Sequence, residues 1–280
     1  MSASLPGILA ESARGFPLQC PDSGRATTPT AEPLHRQDFP VHSYEVDTEG
    51  FLAPRALFAF LQEAAGGDAA RAGYTMERLA RDQLVWVIQW MRVEVERYPR
   101  RGETLTVTTW ARGFERAIAW REFDVVDGSG ARLALGTSRW AVVDLQARRL
   151  MRLPEFVRRS PVPDRPPALD RGPAVLEPAE PAGLERRFEV RRGDLDMVRH
   201  VNNTRYVEWA LETVPDEVQE GYRPSAFEIA FRREAVYGDV VVARTRRLVD
   251  AGDPAFAHEL RADEAGHQLA RAASVWRRHR

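Results

Sequence analysis

The chain of 280 residues is 44% hydrophobic and 29% charged, which is enough apolar material for a large core in one or two domains. A formal net charge of −1 excludes the global basic field that is typical of nucleic-acid-binding proteins. The single cysteine, Cys20, excludes an internal disulfide and a multi-cysteine metal site, and no window has the roughly 20 apolar residues that span a membrane. All 40 Lys-or-Arg positions are arginine, which indicates either the codon usage of a GC-rich genome or patches that bind an acidic partner.

Residues 1–40 contain six prolines and no apolar periodicity, so we predict a disordered N-terminal arm. The arm lacks the apolar run of a secretory signal, which argues against export. It also contains the acidic residues Glu11, Asp22, Glu32 and Asp38, whereas plastid transit peptides are poor in acids. The composition therefore favours a cytoplasmic location over a plastid one.

The first periodic segments follow the arm directly. His42–Asp47 alternates in polarity and predicts a strand, and Pro54 is typical of the first position of a helix. The predicted helix has an apolar stripe formed by Leu57, Phe60, Leu61 and Ala64. Gly66 and Gly67 indicate the end of this helix or a kink; the alternative is that they let a ligand approach the backbone closely.

Residues 84–145 are rich in β-forming residues and are divided by turn signals. The sequence Asp-Gly-Ser-Gly at Asp127–Gly130 predicts a hairpin between two of the runs. The predicted strands are Leu84–Arg97, Glu103–Arg112, Ala119–Val126 and Arg132–Asp144. One helix followed by long antiparallel strands predicts a sheet that wraps around a central helix.

A second unit follows a proline-rich linker. Eight of the 19 prolines fall in residues 154–181, which predicts an extended connection. After the linker, the order of strand, helix and strands begins again. The predicted strands of this unit are Arg186–Val190, Phe227–Arg233, Val240–Val249, Ala255–Ala262 and Gln268–Arg277.

The stretch Gly193–Trp209, GDLDMVRHVNNTRYVEW, concentrates two acids, a histidine and two asparagines immediately before a helix. The helix has a buried stripe formed by Val207, Ala210, Leu211 and Val214. Pro215 is predicted to end it. The polar cluster therefore lies at a helix N-terminus, where free N–H groups and the helix dipole favour developing negative charge.

The two halves align with each other at an offset of 136 residues. The coincident positions are Gly102-Glu103 with Gly238-Asp239, Gly130 with Gly266, Trp140 with Trp276, and Arg92–Val95 with Glu228–Phe231. These coincidences indicate a tandem duplication that forms a dimer-like pair within one chain. At the same offset Glu234 corresponds to Tyr98, and the first half has no match to the HVNN motif. We therefore expect the chemistry in the second half and a binding cavity in the first.

The motif D-x-D-x-x-x-H-V-N-N and the segments around it resemble the acyl-ACP thioesterases of plants and bacteria. The matching segments are SYEVD (Ser43–Asp47), LVWVIQWMRVEVERYPRRGETLTVTTW (Leu84–Trp110), DLDMVRHVNNTRYVEWALETVP (Asp194–Pro215) and FRREAVYGD (Phe231–Asp239). The resemblance covers residues 40–278 or thereabouts. It implies an α+β tandem hotdog fold, in which each unit is an antiparallel sheet wrapped around a central helix.

The resemblance and the composition together divide the chain into four segments. Residues 1–40 are the arm, 41–153 an N-terminal hotdog domain that binds the acyl chain, 154–183 the linker, and 184–280 the catalytic hotdog domain. We expect the two domains to pack sheet to sheet as an internal pseudo-dimer, with a homodimer of whole chains as a further assembly. The implied partner is acyl carrier protein (ACP), and no cofactor, metal or nucleic acid is implied.

The family's catalytic positions carry over to Asp196, His200 and Glu234. The resemblance implies that Asp196 orients or polarises water, or attacks directly, that His200 transfers a proton or donates a hydrogen bond, and that Glu234 is the general base. Backbone N–H groups of His200–Asn203 are expected to stabilise the oxyanion. The structural alternatives are a capping role for Asp194 and Asp196, a structural histidine, and a surface ion pair for Glu234.

A serine or cysteine nucleophile does not fit this sequence. There is no G-x-S-x-G motif, and Ala235 stands where many plant relatives have a cysteine. Val198 stands where relatives usually have an asparagine that is counted with their catalytic residues. An apolar residue there makes the pocket drier, which predicts a raised pKa for a neighbouring carboxylate. It also makes a catalytically weak protein one of the alternatives.

Two sets of residues are expected to bind substrate. Asn202 and Asn203 flank the catalytic positions, although both also fit a role in capping the helix and pinning the loop. The acyl chain is expected in a cavity of the first half lined by Leu57, Leu61, Trp86 and Ile88. The predicted function is hydrolysis of fatty acyl-ACP in fatty acid biosynthesis. The alternatives are an acyl-CoA thioesterase, an acyl-thioester binding module and, more distantly, a hotdog dehydratase.

Overall fold

The computed structural model describes residues 34–147, 149–180, 183–248 and 252–278, so most of the predicted arm lies outside the described residues. The helices are α1 (Pro54–Arg71), α2 (Met76–Arg81), α3 (Glu155–Arg158), α4 (Asn203–Leu211) and α5 (Asp216–Gly221). The strands are β1 (His35–Pro40), β2 (Leu84–Val95), β3 (Thr104–Phe114), β4 (Ile118–Asp127), β5 (Arg132–Asp144), β6 (Arg149–Leu150), β7 (Leu184–Glu189), β8 (Tyr222–Phe231), β9 (Val240–Leu248), β10 (Ala255–Ala262) and β11 (Gln268–Arg278). Within these ranges no helix is both long and apolar enough to cross a membrane.

The strands form one antiparallel sheet with the order β1-β3-β4-β5-β2-β8-β11-β10-β9-β7, and β6 pairs with β5. Read from its two ends, this order matches β1 with β7, β3 with β9, β4 with β10, β5 with β11, and β2 with β8. The two halves therefore repeat one topology around a pseudo-twofold axis between β2 and β8. The predicted α+β tandem hotdog fold is confirmed.

The two halves join edge to edge, so the expected sheet-to-sheet packing is wrong. Strands β2 and β8 pair over Trp90–Glu94 and Ala226–Ala230, and Arg92 lies opposite Glu228, its equivalent at an offset of 136. In isolated units both strands would present unpaired N–H and C=O groups at a sheet edge. Pairing them satisfies these groups and makes one continuous sheet.

Helices α1 and α4 pack against the sheet and against each other. Both predicted apolar stripes are buried. The first lies on α1 and consists of Leu57, Phe60, Leu61 and Ala64. The second lies on α4 and the residues just after it and consists of Val207, Ala210, Leu211 and Val214. The rings of Phe58 and Phe227 meet edge to face, with 5.7 Å between centroids, so the main core crosses from one half to the other. Helix α4 ends at Leu211, earlier than predicted, and Pro215 instead precedes α5.

The proline-rich linker is bound along the sheet. Phe123 of β4 points into the helix-side core, so its neighbour Glu122 lies on the opposite face. The backbone N–H of Ala168 donates to Glu122 at 3.0 Å, and that of Ala174 donates to Glu228 at 3.0 Å. The linker therefore covers the face away from the helices, where buried carboxylates satisfy its N–H groups.

Two predictions about the start of the first unit are wrong. Strand β1, His35–Pro40, pairs with β3 and buries Phe39, so the folded unit begins before residue 41. His42–Asp47 forms a turn, in which the N–H of Asp47 donates to the carbonyl of Phe51 at 2.8 Å. Two of its polar side chains fold the turn, since Glu45 accepts a hydrogen bond from the N–H of His42 and Asp47 accepts one from that of Phe51.

Gly66 and Gly67 do not end the first helix, because α1 continues to Arg71. A Cβ atom on Gly67 would lie 2.8 Å from Nε2 of His35. The missing side chain therefore lets strand β1, rather than a ligand, approach the helix closely.

Candidate active site

The loop before α4 presents the predicted polar cluster at the helix N-terminus. Asn202 is the N-cap, and its side-chain oxygen accepts hydrogen bonds from the N–H of Thr204 at 2.9 Å and from the Thr204 hydroxyl at 2.7 Å. This is the capping role weighed for Asn202. Asn203 is half-buried in the first position of the helix.

Asp194 is a structural acid. It is 1% exposed and accepts hydrogen bonds from the N–H and guanidinium of Arg191, and Arg205 Nε lies 3.3 Å from it. These partners hold the pKa of Asp194 below its usual value, against the effect of burial. The charged carboxylate pins the short 3₁₀ turn Arg192–Asp194 that leads into the loop.

Asp196 folds the loop with one of its carboxylate oxygens. Oδ1 accepts hydrogen bonds from the N–H of Val198 at 2.9 Å and of His200 at 3.1 Å. The turn requires a positive φ of 65° at Arg199. Burial raises the pKa of Asp196, and the nearby His200 and the two N–H groups only partly offset this effect. The shift has the direction that the apolar Val198 predicted.

His200 and Glu234 come together although they are 34 residues apart in the chain. A bridge between His200 and Val236, and the hydrogen bond from Val201 N–H to the Ala235 carbonyl at 2.9 Å, join the two segments. Nε2 of His200 lies 3.8 Å from Oε1 of Glu234, and both side chains are less than a fifth exposed. Glu234 thus faces the histidine, as expected for a member of the site, and does not point into bulk solvent.

The expected oxyanion donors are used within the loop. His200 N–H donates to Asp196, Val201 N–H to Ala235, and Asn202 N–H to the Asp194 carbonyl at 2.9 Å. Three of the four N–H groups proposed for this role are therefore committed to folding the loop. The prediction that the N–H groups of His200–Asn203 together stabilise an oxyanion is therefore wrong.

The first half contains the same loop, which the sequence comparison missed. Asp47 Oδ1 accepts hydrogen bonds from the N–H of Glu49 at 2.9 Å and of Phe51 at 3.0 Å, as Asp196 does from Val198 and His200. Gly50 has φ of 81° at the position of Arg199. The two loops are 149 residues apart, whereas the strands repeat at 136, so a search at one offset does not align them.

The two copies of the loop differ in their side chains. Phe51 stands at the position of His200, and Tyr98 at that of Glu234. Arg223 of the second half pairs with both Asp47 and Glu49. The guanidinium groups of Arg100 and Arg223 lie over the Phe51 ring at 4.0 and 4.1 Å. The first copy is therefore an ion-paired contact between the halves and lacks an acid–base pair.

The four residues predicted to line an acyl cavity do not lie together. Leu57, Leu61 and Ile88 are at most 5% exposed and belong to the main core. Trp86 packs in a second cluster whose buried members are Leu79, Leu84, Ala119, Val142 and Leu153. The second cluster lies beside α2, which contributes Leu79 and contacts β2.

Tyr206 of α4 also belongs to the candidate site, although the sequence pattern assigned it no role. Its hydroxyl accepts a hydrogen bond from the N–H of Ala235 at 2.9 Å, next to Glu234. No sequence signal links two residues so far apart. In the described parts of the chain no group of three or more His, Cys, Asp or Glu residues is placed to hold a metal.

Comparison with known proteins identifies the family. Residues 32–160 match the model of the acyl-ACP thioesterase N-terminal domain, and residues 178–278 match that of the C-terminal domain. The chain is 33% identical, over 87% of its length, to the chloroplastic dodecanoyl-[acyl-carrier-protein] hydrolase of Cinnamomum camphora and covers 68% of that protein. It is 30% identical, again over 87% of its length, to the chloroplastic palmitoyl-acyl carrier protein thioesterase of Cuphea hookeriana, of which it spans 62%.

A solved structure agrees with these matches. The 12:0-ACP thioesterase from Umbellularia californica superposes with a TM-score of 0.78 at 29% identity, covering 88% of this chain and 94% of that one. Together the two family models extend over both halves, and the second includes the loop that carries Asp196 and His200. The chain belongs to the acyl-ACP thioesterase family.

Proposed function

We propose that this protein hydrolyses the thioester of fatty acyl-ACP and releases the free fatty acid. The observation that carries the proposal is the His200–Glu234 pair, which the duplicated loop presents in the second half alone. The first half keeps the same backbone and has Phe51 and Tyr98 at these positions. The fold therefore does not require the pair, which supports a chemical role.

In the proposed reaction Glu234 is the general base. It takes a proton from a water molecule while the water oxygen bonds to the thioester carbonyl carbon. The tetrahedral intermediate then collapses, the C–S bond breaks, and the leaving sulfur takes up the proton held by Glu234, directly or by relay through His200. Asp196 holds the turn that presents His200, and we assign its Oδ2 to orienting the water, since Oδ1 binds the loop.

The acyl chain is proposed to enter the first half between α1 and the sheet. Leu57 and Leu61 of α1 and Ile88 of β2 support this place because they lie in one core between the helix and the sheet, whereas Trp86 packs in a separate cluster. The acyl chain-length preference of Leu61→Trp tests this location. A larger side chain in the path of the acyl chain should shift the preference to shorter acyl chains. An unchanged profile would contradict the assignment.

We also propose that the partner is ACP and that the protein is cytoplasmic. The curated relatives act on acyl-ACP by name and are named chloroplastic. The cytoplasmic prediction rests on the acidic residues of the arm, and fractionation of cells that express the full chain tests it. Size-exclusion chromatography with light scattering tests the homodimer.

The decisive experiment compares hydrolysis of acyl-ACP and acyl-CoA over a range of chain lengths with two variants. We expect Glu234→Gln to lower kcat by about 100- to 10,000-fold, as is usual for the loss of an acid–base group. The control is Asp47→Asn, which changes the first-half counterpart of Asp196. It should leave kcat within about twofold of wild type, because no acid–base pair adjoins it.

Each other outcome favours one alternative. Faster turnover of acyl-CoA than of acyl-ACP would indicate an acyl-CoA thioesterase. Bound acyl thioester without turnover by the wild type would indicate a binding module, and hydration of an enoyl thioester a dehydratase. If Glu234→Gln keeps more than about a third of the activity, Glu234 is not the base.

A further inference from the structure

Tyr206 fixes the backbone next to the proposed base. It is 2% exposed, and its hydroxyl accepts the N–H of Ala235 at 2.9 Å. Its ring meets Phe231 edge to face, with 5.7 Å between centroids, which fixes the direction of the hydroxyl. The carbonyl of Ala235 in turn accepts the N–H of Val201 at 2.9 Å. The residue that follows Glu234 is therefore held on both its polar backbone groups.

The hydroxyl lies among acids and keeps its proton. Burial raises the pKa of Tyr206, and the charges of Glu234, Asp239 and Asp196 raise it further. A neutral phenol can accept the Ala235 N–H and still offer its own proton to a neighbouring acceptor.

The first half provides an internal comparison. Pro99 and Leu57 stand at the positions of Ala235 and Tyr206. Proline has no N–H to donate and leucine has no hydroxyl, yet the Pro99 carbonyl still accepts the N–H of Leu52 at 2.8 Å. The loop thus folds without the tyrosine bond. This bond accompanies the half that contains the acid–base pair.

We propose that Tyr206 is a positioning residue, which aims Glu234 at His200 by anchoring the peptide that joins Glu234 to Ala235. The proposal rests on the hydrolysis proposed above. Without the anchor, the peptide that follows Glu234 keeps the Val201 bond to the Ala235 carbonyl, but the Ala235 N–H loses its acceptor. Glu234 then spends less time opposite the histidine, while the surface that binds the substrate is unchanged.

The test is the kinetics of Tyr206→Phe on acyl-ACP. A misdirected base lowers kcat on the order of 10- to 100-fold, with KM within about twofold of wild type, because the lost interaction acts in the transition state. The matched control is Tyr98→Phe, which removes a buried hydroxyl that donates to the Pro224 carbonyl at 2.8 Å in the other half. The control should lose comparable stability and keep kcat.

A double variant separates positioning from stability. Tyr206→Phe leaves the Ala235 N–H without an acceptor, and adding Ala235→Pro removes that N–H, as Pro99 does in the first half. We expect the double variant to regain the melting temperature of the wild type, whereas its kcat should stay as low as that of Tyr206→Phe. Recovery of kcat together with stability, or a Tyr206→Phe kcat within about twofold of wild type, would overturn the proposal. An inactive wild type would instead overturn the proposed function, and the positioning role with it.

Discussion

Asp196 is the residue at which folding and the proposed chemistry compete. Its Oδ1 binds two N–H groups of the loop, the same structural task that Asp47 performs in the first half. Asp47 also pairs with Arg223, whereas the strand position equivalent to Arg223 in the first half is Val87. The carboxylate of Asp196 is thus buried with less cationic support, and its raised pKa follows from that burial.

The first prediction at this scale concerns Asp196→Asn. The amide oxygen still accepts both N–H groups, and the substitution removes a buried charge. Because the folded-state pKa of Asp196 is raised, its contribution to stability is complete below the unfolded pKa and is lost as the pH rises through the folded value. The variant should therefore melt at or above the wild-type temperature at pH 7, and the difference should disappear towards about pH 4.

Melting temperatures of the two proteins across this pH range check the prediction. The same data show whether a loss of activity in Asp196→Asn is chemical, since a variant at least as stable as wild type cannot owe its inactivity to unfolding. A variant that melts well below wild type at pH 7 would show that the loop needs the charge.

At the scale of single elements, α1 and α4 are equivalent helices of unequal length. Helix α1 is 18 residues long and continues through Gly66 and Gly67, whereas α4 is nine residues long. Burial of an apolar stripe outweighs the cost of two glycines, which is about 1 kcal/mol each relative to alanine in a helix interior. The first half has more residues between the Asp47 loop and β2 than the second half has between the Asp196 loop and β8. The loops and the strands therefore repeat at different offsets.

The second prediction uses the two glycines as a matched pair. Gly66 is exposed, and a Cβ atom there would meet nothing within 4 Å, so Gly66→Ala should stabilise the protein by about 0.5–1 kcal/mol. On Gly67 the Cβ would lie 2.8 Å from His35 Nε2 and 3.2 Å from Gln37 Oε1. The strand side chains must move, so Gly67→Ala should gain less or destabilise. Urea unfolding measures the free energy of unfolding of both variants. Equal gains in stability would show that β1 does not restrict the space at Gly67.

At the scale of the whole molecule, buried charges join the two halves. Arg92 of β2 donates to Glu228 of β8 at 2.8 Å across the pseudo-twofold axis. Glu228 also accepts the Trp90 indole N–H at 2.7 Å and the linker N–H of Ala174 at 3.0 Å. One carboxylate that is 3% exposed therefore ties together both central strands and the linker.

The third prediction tests this junction. Arg92→Met leaves Glu228 buried without its cation and should lower the free energy of unfolding by roughly 3 kcal/mol. Adding Glu228→Gln removes the unpaired charge and keeps an oxygen for Trp90 and Ala174, so the double variant should recover most of the loss. The control is Arg159→Met, which breaks the exposed pair with Glu155 and should cost less than about 1 kcal/mol. A double variant that is no more stable than Arg92→Met would contradict the account.

Local pattern and turn chemistry were sufficient for most elements. The period of the apolar residues placed the buried stripes of both helices, and the Asp127–Gly130 turn placed a hairpin, with Gly130 at φ of 85°. The landmarks at an offset of 136 revealed the duplication, because each marks a turn or packing position that both halves need. Trp140 and Trp276 even donate to equivalent serines, Ser138 and Ser274, at 2.8 Å each.

The sequence by itself determined the family, the tandem hotdog fold and the segment that holds Asp196 and His200, because these depend on residues close together in the chain. Only the tertiary structure decided how the halves join, which N–H groups remain for chemistry, and that the first half repeats the loop. These depend on hydrogen bonds between distant segments, such as that of Tyr206 with Ala235. Pairing across a sheet edge and between loops depends on the register of the whole fold, and local patterns in the chain contain no record of it.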